Sequence, residues 1–292
     1  MRVAVADGKL KPEEFAAALN TFGYLRRTQG DSREAELSFR EVLGLSPEFS
    51  SEAHFVIGVT RATLASVLAN QGRFQEAVQT AAEAVAESRR KGNASAPDLG
   101  FVLTIYGGFL TEAGRYAEAD SALMEADRIF HQLLSPTSLW TGDNVRNQAA
   151  LLYYQERWND ALAKAGEALR IYRVNFGTHY DNYPTALTIQ GLSLGRLGRS
   201  TEAEKALREA VKLRMEMLPR GHFFTALARS ALGEYLTRQH RFAEAESLLV
   251  QRYDDLLRSQ GPDNPRTSLA KMRVRDLYTA WKKPRAAAGV QQ

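Results

Sequence analysis

The chain has 292 residues, of which 44% are apolar and 25% charged, and its net charge is +4. It contains no cysteine, which excludes disulfides and thiolate metal sites. No run of about 18 apolar residues is present, so no membrane-spanning helix is expected, and mild, interspersed charge gives no basic stripe that would make nucleic acid an expected partner.

Residues 1–11 form a short N-terminal extension without pattern, and Asp7 and Lys9 interrupt what would otherwise resemble a signal-peptide core. A cytoplasmic chain, or a piece of a longer one, is the expectation, and arginine richness points to a bacterial source. Pro12-Glu13-Glu14 then opens a helix, since proline suits the first turn and early carboxylates complement the helix dipole. Gly30-Asp31 ends it, and Ser32 is expected to cap a second helix.

This helix–turn–helix plan returns along the chain. Gln71-Gly72-Arg73-Phe74, Ala113-Gly114-Arg115-Tyr116, Gln155-Glu156-Arg157-Trp158, Leu197-Gly198-Arg199-Ser200 and Gln239-His240-Arg241-Phe242 repeat one turn. The turn residues fall at 30, 72, 114, 156, 198 and 240, a constant step of 42. A fixed period of that size signals a repeat array rather than a globular core. First helices are expected near 13–29, 53–71, 97–113, 140–155, 182–197 and 223–239. Second helices are expected near 32–45, 74–90, 116–132, 158–174, 200–216 and 242–258.

Two columns of small residues predict where paired helices cross. Gly23, Ala65, Gly107, Ala149, Gly191 and Gly233 stand seven residues before the turn. Ala35, Ala77, Ala119, Ala161, Ala203 and Ala245 stand five after it. A larger side chain at either place would hold the backbones apart. Glycine at the turn supplies the left-handed conformation that closes a helix, so Glu156 and His240 predict turns that are closed differently or strained. Phe74, Tyr116, Trp158 and Phe242 are expected to wedge under the next unit, with less apolar packing at Ser32 and Ser200.

The small–Gly–aromatic–Ala pattern resembles the tetratricopeptide repeat. That unit usually has about 34 residues; the extra length here adds roughly two helical turns. Pro47 stands where the shorter unit often ends its second helix, and later units lack it. The longer unit resembles those of kinesin light chains and of bacterial signalling scaffolds, with joints at Phe176-Gly177, Leu218-Pro219 and Gln260-Gly261-Pro262-Asp263. The resemblance covers about residues 13–283. It implies an all-α, right-handed α-solenoid of six helix-turn-helix tetratricopeptide repeats over 12–283. The units lie near 13–52, 53–94, 95–136, 137–178, 179–220 and 221–262, with a capping helix at 265–281 and a tail at 284–292.

Phosphate loops and zinc-binding His-Glu-x-x-His are missing from the sequence, and Gly191-Leu192-Ser193-Leu194-Gly195, which has the letters of a nucleophile elbow, falls inside an expected helix and not at a strand-to-helix turn. His54, His179 and His222 fall at inter-repeat joints, as turn and cap residues would. No enzyme activity, cofactor or metal is expected. By resemblance, function lies in a concave groove lined by first helices. Helical spacing places there Asn20, Tyr24, Arg27, Phe101, Thr104, Asp143, Arg146, Tyr153, Thr188 and Glu234, flanked by Asn70, Glu112, Asn147, Tyr154, Arg196 and Arg238. Paired asparagines that kinesin light chains carry in each unit are matched here only by Asn20 and Asn147, and a carboxylate clamp is not reproduced. The resemblance therefore implies a scaffold that binds a peptide or protein segment. The alternatives are the regulatory region of a larger kinase or transcription regulator, or a receptor for a peptide signal.

Overall fold

A computed structural model describes residues 11–48, 55–90, 97–219 and 222–283. The extension before Lys11, His54 and the tail from Pro284 lie outside them. Among the described residues are thirteen α-helices and no strand. They are α1 (Pro12–Thr28), α2 (Ser32–Leu45), α3 (Phe55–Asn70), α4 (Phe74–Arg90), α5 (Pro97–Glu112), α6 (Tyr116–Leu133), α7 (Leu139–Tyr154), α8 (Trp158–Phe176), α9 (Tyr183–Arg196), α10 (Ser200–Met217), α11 (Phe223–Arg238), α12 (Phe242–Gln260) and α13 (Pro265–Ala280). None of them is long and apolar enough to cross a membrane. The fold is an α-solenoid of helical hairpins. It divides into two compact units, Met1–Leu110 with Ala117–Ser135, and Thr111–Tyr116 with Pro136–Gln292.

The turns explain why the period exists. Gly30, Gly72, Gly114 and Gly198 have φ of 86°, 87°, 75° and 77°. After the turn residue, the next N–H reaches back to a carbonyl five residues earlier: Arg73 to Leu68 at 3.0 Å, Arg199 to Leu194 at 3.0 Å. That bond satisfies a carbonyl left open at the helix end. Glu156 and His240 close their turns in the same way, at φ 62° and 58°, with Arg157 on Leu152 at 2.9 Å and Arg241 on Leu236 at 3.0 Å. Their turns are thus strained rather than differently built, because a Cβ is disfavoured in this conformation. Lys282, at φ 58°, makes a seventh copy, with Lys283 N–H on Tyr278 at 2.9 Å.

Within each hairpin the crossing is tight. A Cβ added to Gly107 would lie 2.7 Å from Leu123, one on Gly191 2.7 Å from Leu207, and one on Gly233 2.6 Å from Leu249. The alanine column is completely enclosed at all positions from Ala35 to Ala245. The aromatic after the turn then reaches the next hairpin. Phe74 meets Phe109 edge-on at 6.0 Å, and Phe242 stacks on Trp281 at 5.6 Å. Where serine replaces it, a hydrogen bond spans the joint instead: Gln71 donates to the Ser32 carbonyl at 3.0 Å and Tyr235 to the Ser200 carbonyl at 2.8 Å.

Helix lengths follow local chemistry. Pro47 lies in a short 3₁₀ turn, Ser46–Glu48, and α2 has 14 residues. α8 and α12 run to 19, because proline's missing N–H and its ring do not stop them. In the second unit, α9 packs on α7, α8, α10 and α11, and α13 packs on α11 and α12. Leu194, Leu207, Tyr235, Leu249 and Leu277 form one of its cores. In the first unit Phe39, Leu64, Leu68 and Phe74 do the same.

Removing turn strain should stabilise the chain. Glu156→Gly and His240→Gly are each expected to raise stability by about 0.5–1 kcal/mol, since relief of about 1–2 kcal/mol is partly offset by a more flexible unfolded chain. Thermal unfolding checks this, and an unchanged or lower Tm in both variants would contradict it.

Candidate functional site

In the first unit the expected face is partly consumed by packing. Asn20 accepts a hydrogen bond from Thr60 at 3.1 Å, and the Tyr24 hydroxyl meets Thr63 at 3.0 Å. Tyr24 stays 36% exposed, with the Arg27 guanidinium 5.6 Å over its ring. Thr104 is buried and donates to the Gly100 carbonyl of its own helix at 2.9 Å. Sequence spacing placed Thr104 on the open face; the structure puts it in the interior. Phe101 is half-buried.

In the second unit, Asp143 is also committed to structure. It accepts from Tyr172 at 2.7 Å, Tyr180 at 3.0 Å and Asn182 at 2.8 Å. These three residues belong to α8 and to the joint before α9, so Asp143 ties two hairpins together. Burial first, then the nearby Asp143 charge, pushes both phenols well above their ordinary range. Asn147 is buried, and Thr188 donates to the Pro184 carbonyl at 2.8 Å. Arg146, between Asp143 and Asn147, keeps a buried Nε with no protein partner.

The remaining expected residues converge. Glu234 on α11 receives Arg273 of α13 at 2.7 Å, Arg196 of α9 at 3.4 Å and Arg238 at 3.7 Å. Arg273 also donates to Ser230 at 3.0 Å. Arg196 lies 5.8 Å from the Tyr153 ring and donates to its hydroxyl at 3.4 Å. Tyr154 packs edge-on against Tyr153. Arg266, at the start of α13, binds both carboxylate oxygens of Glu112, at 2.9 and 3.3 Å. Arg273 and Arg266 belong to the capping helix α13, outside the six repeat faces. The residues at the position of Arg273 in earlier units are Thr21, Thr63, Ile105, Asn147, Ile189 and Ala231, none of them charged. An arginine breaking that column was the available signal.

The electrostatics are unbalanced. Three guanidiniums surround one carboxylate. Burial alone would push the Glu234 carboxyl up, but Arg273 and Arg196 outweigh it and hold it below the usual range. Tyr154 is 39% exposed, yet burial pushes its phenol up to about 12, with Glu112 and Glu234 adding to this and Arg273 opposing it. Tyr153 and Tyr154 stand beside this charged cluster. The cluster combines three guanidiniums, one carboxylate and two tyrosine rings. Among the described residues no acidic, histidine or cysteine group could hold a metal.

The carboxyl of Glu234 is lowered in the folded chain, so its contribution to stability is present above the unfolded value near 4.5 and is lost as pH falls through the folded value. Glu234→Gln leaves Arg273 buried without its counter-ion and should cost about 3–5 kcal/mol at neutral pH. The loss should shrink in acid as the wild type protonates. Unfolding measured from pH 7 to 3 checks this; a pH-independent difference would contradict it.

Comparison with known proteins gives the family. Models described as tetratricopeptide repeat match residues 20–96 and 188–265, more than half of the chain, and residues 140–216. No curated protein sequence matches. Among solved structures, NprR in complex with its cognate peptide NprX is similar at 11% identity, over 97% of this chain and 78% of that one, with a TM-score of 0.66. A Rap protein complexed with competence and sporulation factor is similar at 15% identity, over 97% and 79%, with a TM-score of 0.62. BtubC (BKLC) from P. vanneervenii is similar at 16% identity, over 81% and 92%, with a TM-score of 0.52. At these identities the likeness is one of fold. With its constant 42-residue step, left-handed turns and enclosed small-residue columns, the chain belongs to the tetratricopeptide repeat family.

Proposed function

We propose that this chain is a non-enzymatic, cytoplasmic scaffold that binds a peptide or protein segment on the first-helix face of its second unit. The observation that carries the proposal is the cluster of Arg196, Arg238 and Arg273 around the single carboxylate of Glu234, with Tyr153 and Tyr154 beside it. Rigid tyrosine rings give contact area at little entropic cost. Surplus guanidiniums supply donors for peptide carbonyls and carboxylates. Arg146 extends the donor set on α7, and Tyr24, Arg27 and Phe101 offer comparable contacts in the first unit. Tetratricopeptide repeats generally mediate protein interactions. The NprR and Rap structures, both similar in fold, hold the cognate peptide NprX and competence and sporulation factor, and the first of these supports a peptide ligand here.

Panning a random peptide library on the intact chain tests this. Recovered peptides should bind Tyr154→Ala and Arg238→Glu at least about tenfold more weakly, a loss of about 1.4 kcal/mol. Arg208→Ala, on the outer side of α10, should bind normally. Equal Kd values for all three variants would overturn the assignment.

A further inference from the structure

Along the second helices one column is uniformly small and apolar. Val42, Ala84, Ala126, Ala168 and Ala210 are all 0% exposed. The sixth member of that column is Arg252, and it is 4% exposed. Its guanidinium lies 5.0 Å from the centroid of Phe223, and that of Arg266 lies 4.8 Å from the same ring. Both cations therefore meet at the start of α11, beside the first turn of α13.

Among the described residues Arg252 has no ion pair, and Asp255 offsets its charge only in part. Its Nε and Nη2 are both buried without a hydrogen-bond partner. Those two atoms form one edge of the guanidinium, and the rest of the chain shows what that edge binds. Arg73, Arg199 and Arg241 each present Nε and Nη2 to the two oxygens of one glutamate, at 2.6–2.8 Å. Arg266 does the same with Glu112. Arg252 has the edge and no carboxylate. The nearby Asp255 is held by Arg258 at 2.7 Å, and Glu112 is engaged by Arg266. One residue beyond Arg266, Thr267 is 1% exposed, and its buried hydroxyl also has no partner.

A buried charge with no partner is costly, and removing a partner from such a group typically destabilises strongly. Burial lowers Arg252 to about 10, with Arg266 and Arg273 repelling it further and Asp255 opposing, so it remains a cation at neutral pH. A neutral ligand would leave that charge unmet, and a cation would be repelled by Arg252, Arg266 and Arg273. The chemistry that fits is an oxyanion with two oxygens, which a guanidinium edge binds through parallel hydrogen bonds.

We infer that Arg252, with Arg266 and the Thr267 hydroxyl, forms a binding site for a small oxyanion, a phosphate or a carboxylate, between α12 and the first turn of α13. The site joins the sixth hairpin to the capping helix, so occupancy tightens that joint.

Thermal unfolding of the full chain tests this in three arms: sodium phosphate, sodium malonate, and sodium chloride at matched ionic strength. The wild type should show a saturable rise in Tm with phosphate, malonate or both, above the chloride arm. Phosphate alone would mark a phosphate site, and malonate alone a carboxylate site. Arg252→Leu should be at least as stable as wild type without oxyanion, because an apolar side chain suits this column, and should lose the saturable response. Arg252→Lys, which keeps the charge but not the fork, should raise the half-saturating concentration by at least about tenfold. No saturable response in the wild type would overturn the site. So would an unchanged response in Arg252→Leu or an unchanged midpoint in Arg252→Lys.

Discussion

The closeness of the two helices in each hairpin is the constraint on which the rest depends. Gly191 sits where a Cβ would lie 2.7 Å from Leu207 and 3.1 Å from the Ala203 carbonyl. Such contact fixes the register of one helix on the other, since nothing larger than glycine or alanine fits at the crossing. Given the register, the left-handed turn must fall at one place, and the residue after it must reach the next hairpin. The arginine following the turn then clamps the carboxylate three residues on. In Arg73 and Arg241 it also reaches back to Glu36 and Glu204 of the preceding unit, at 2.7 Å each. Each exposed pair contributes little, but the pair recurs after the turns at Gly72, Glu156, Gly198 and His240.

The fixed register also decides where chemistry can occur. Second helices bury one face and leave the other exposed, whereas first helices, packed against both neighbouring hairpins, are buried or half-buried along most of their length. On α7, α9, α11 and α13 the second unit gathers charge out of balance, around a glutamate that holds Arg273 in place while Arg196 and Arg238 remain partly open. On the proposed reading Glu234 anchors the site, and the surplus cations would face the ligand. A wholly neutralised cluster would be a structural knot, as Asp143 is with Tyr172, Tyr180 and Asn182.

Most of the fold was legible in the sequence because it is periodic. Helix ends differ from the expected ones by about two residues, and the turns at Glu156 and His240 were marked as exceptions by the missing glycine. The site was legible only in part. Helical spacing selects a face, but it does not show that Thr104 is covered or that Asp143 is occupied by residues of the following joint. The bonds that occupy Asp143 come from residues 29 to 39 positions away. The converse signal was present and went unused: Arg273 and Arg252 each break a column of uncharged residues. In a repeat protein, a charge where every other unit has an apolar or neutral side chain marks a local departure from structural duty.

The central claim is that the first helices of the second unit carry the ligand. Hydrogen–deuterium exchange of the full chain, with and without a library-selected peptide, tests it most directly. The account predicts slowed exchange in α7, α9 and α11, with α8, α10 and α12 unchanged. Slowing confined to the second helices would contradict it.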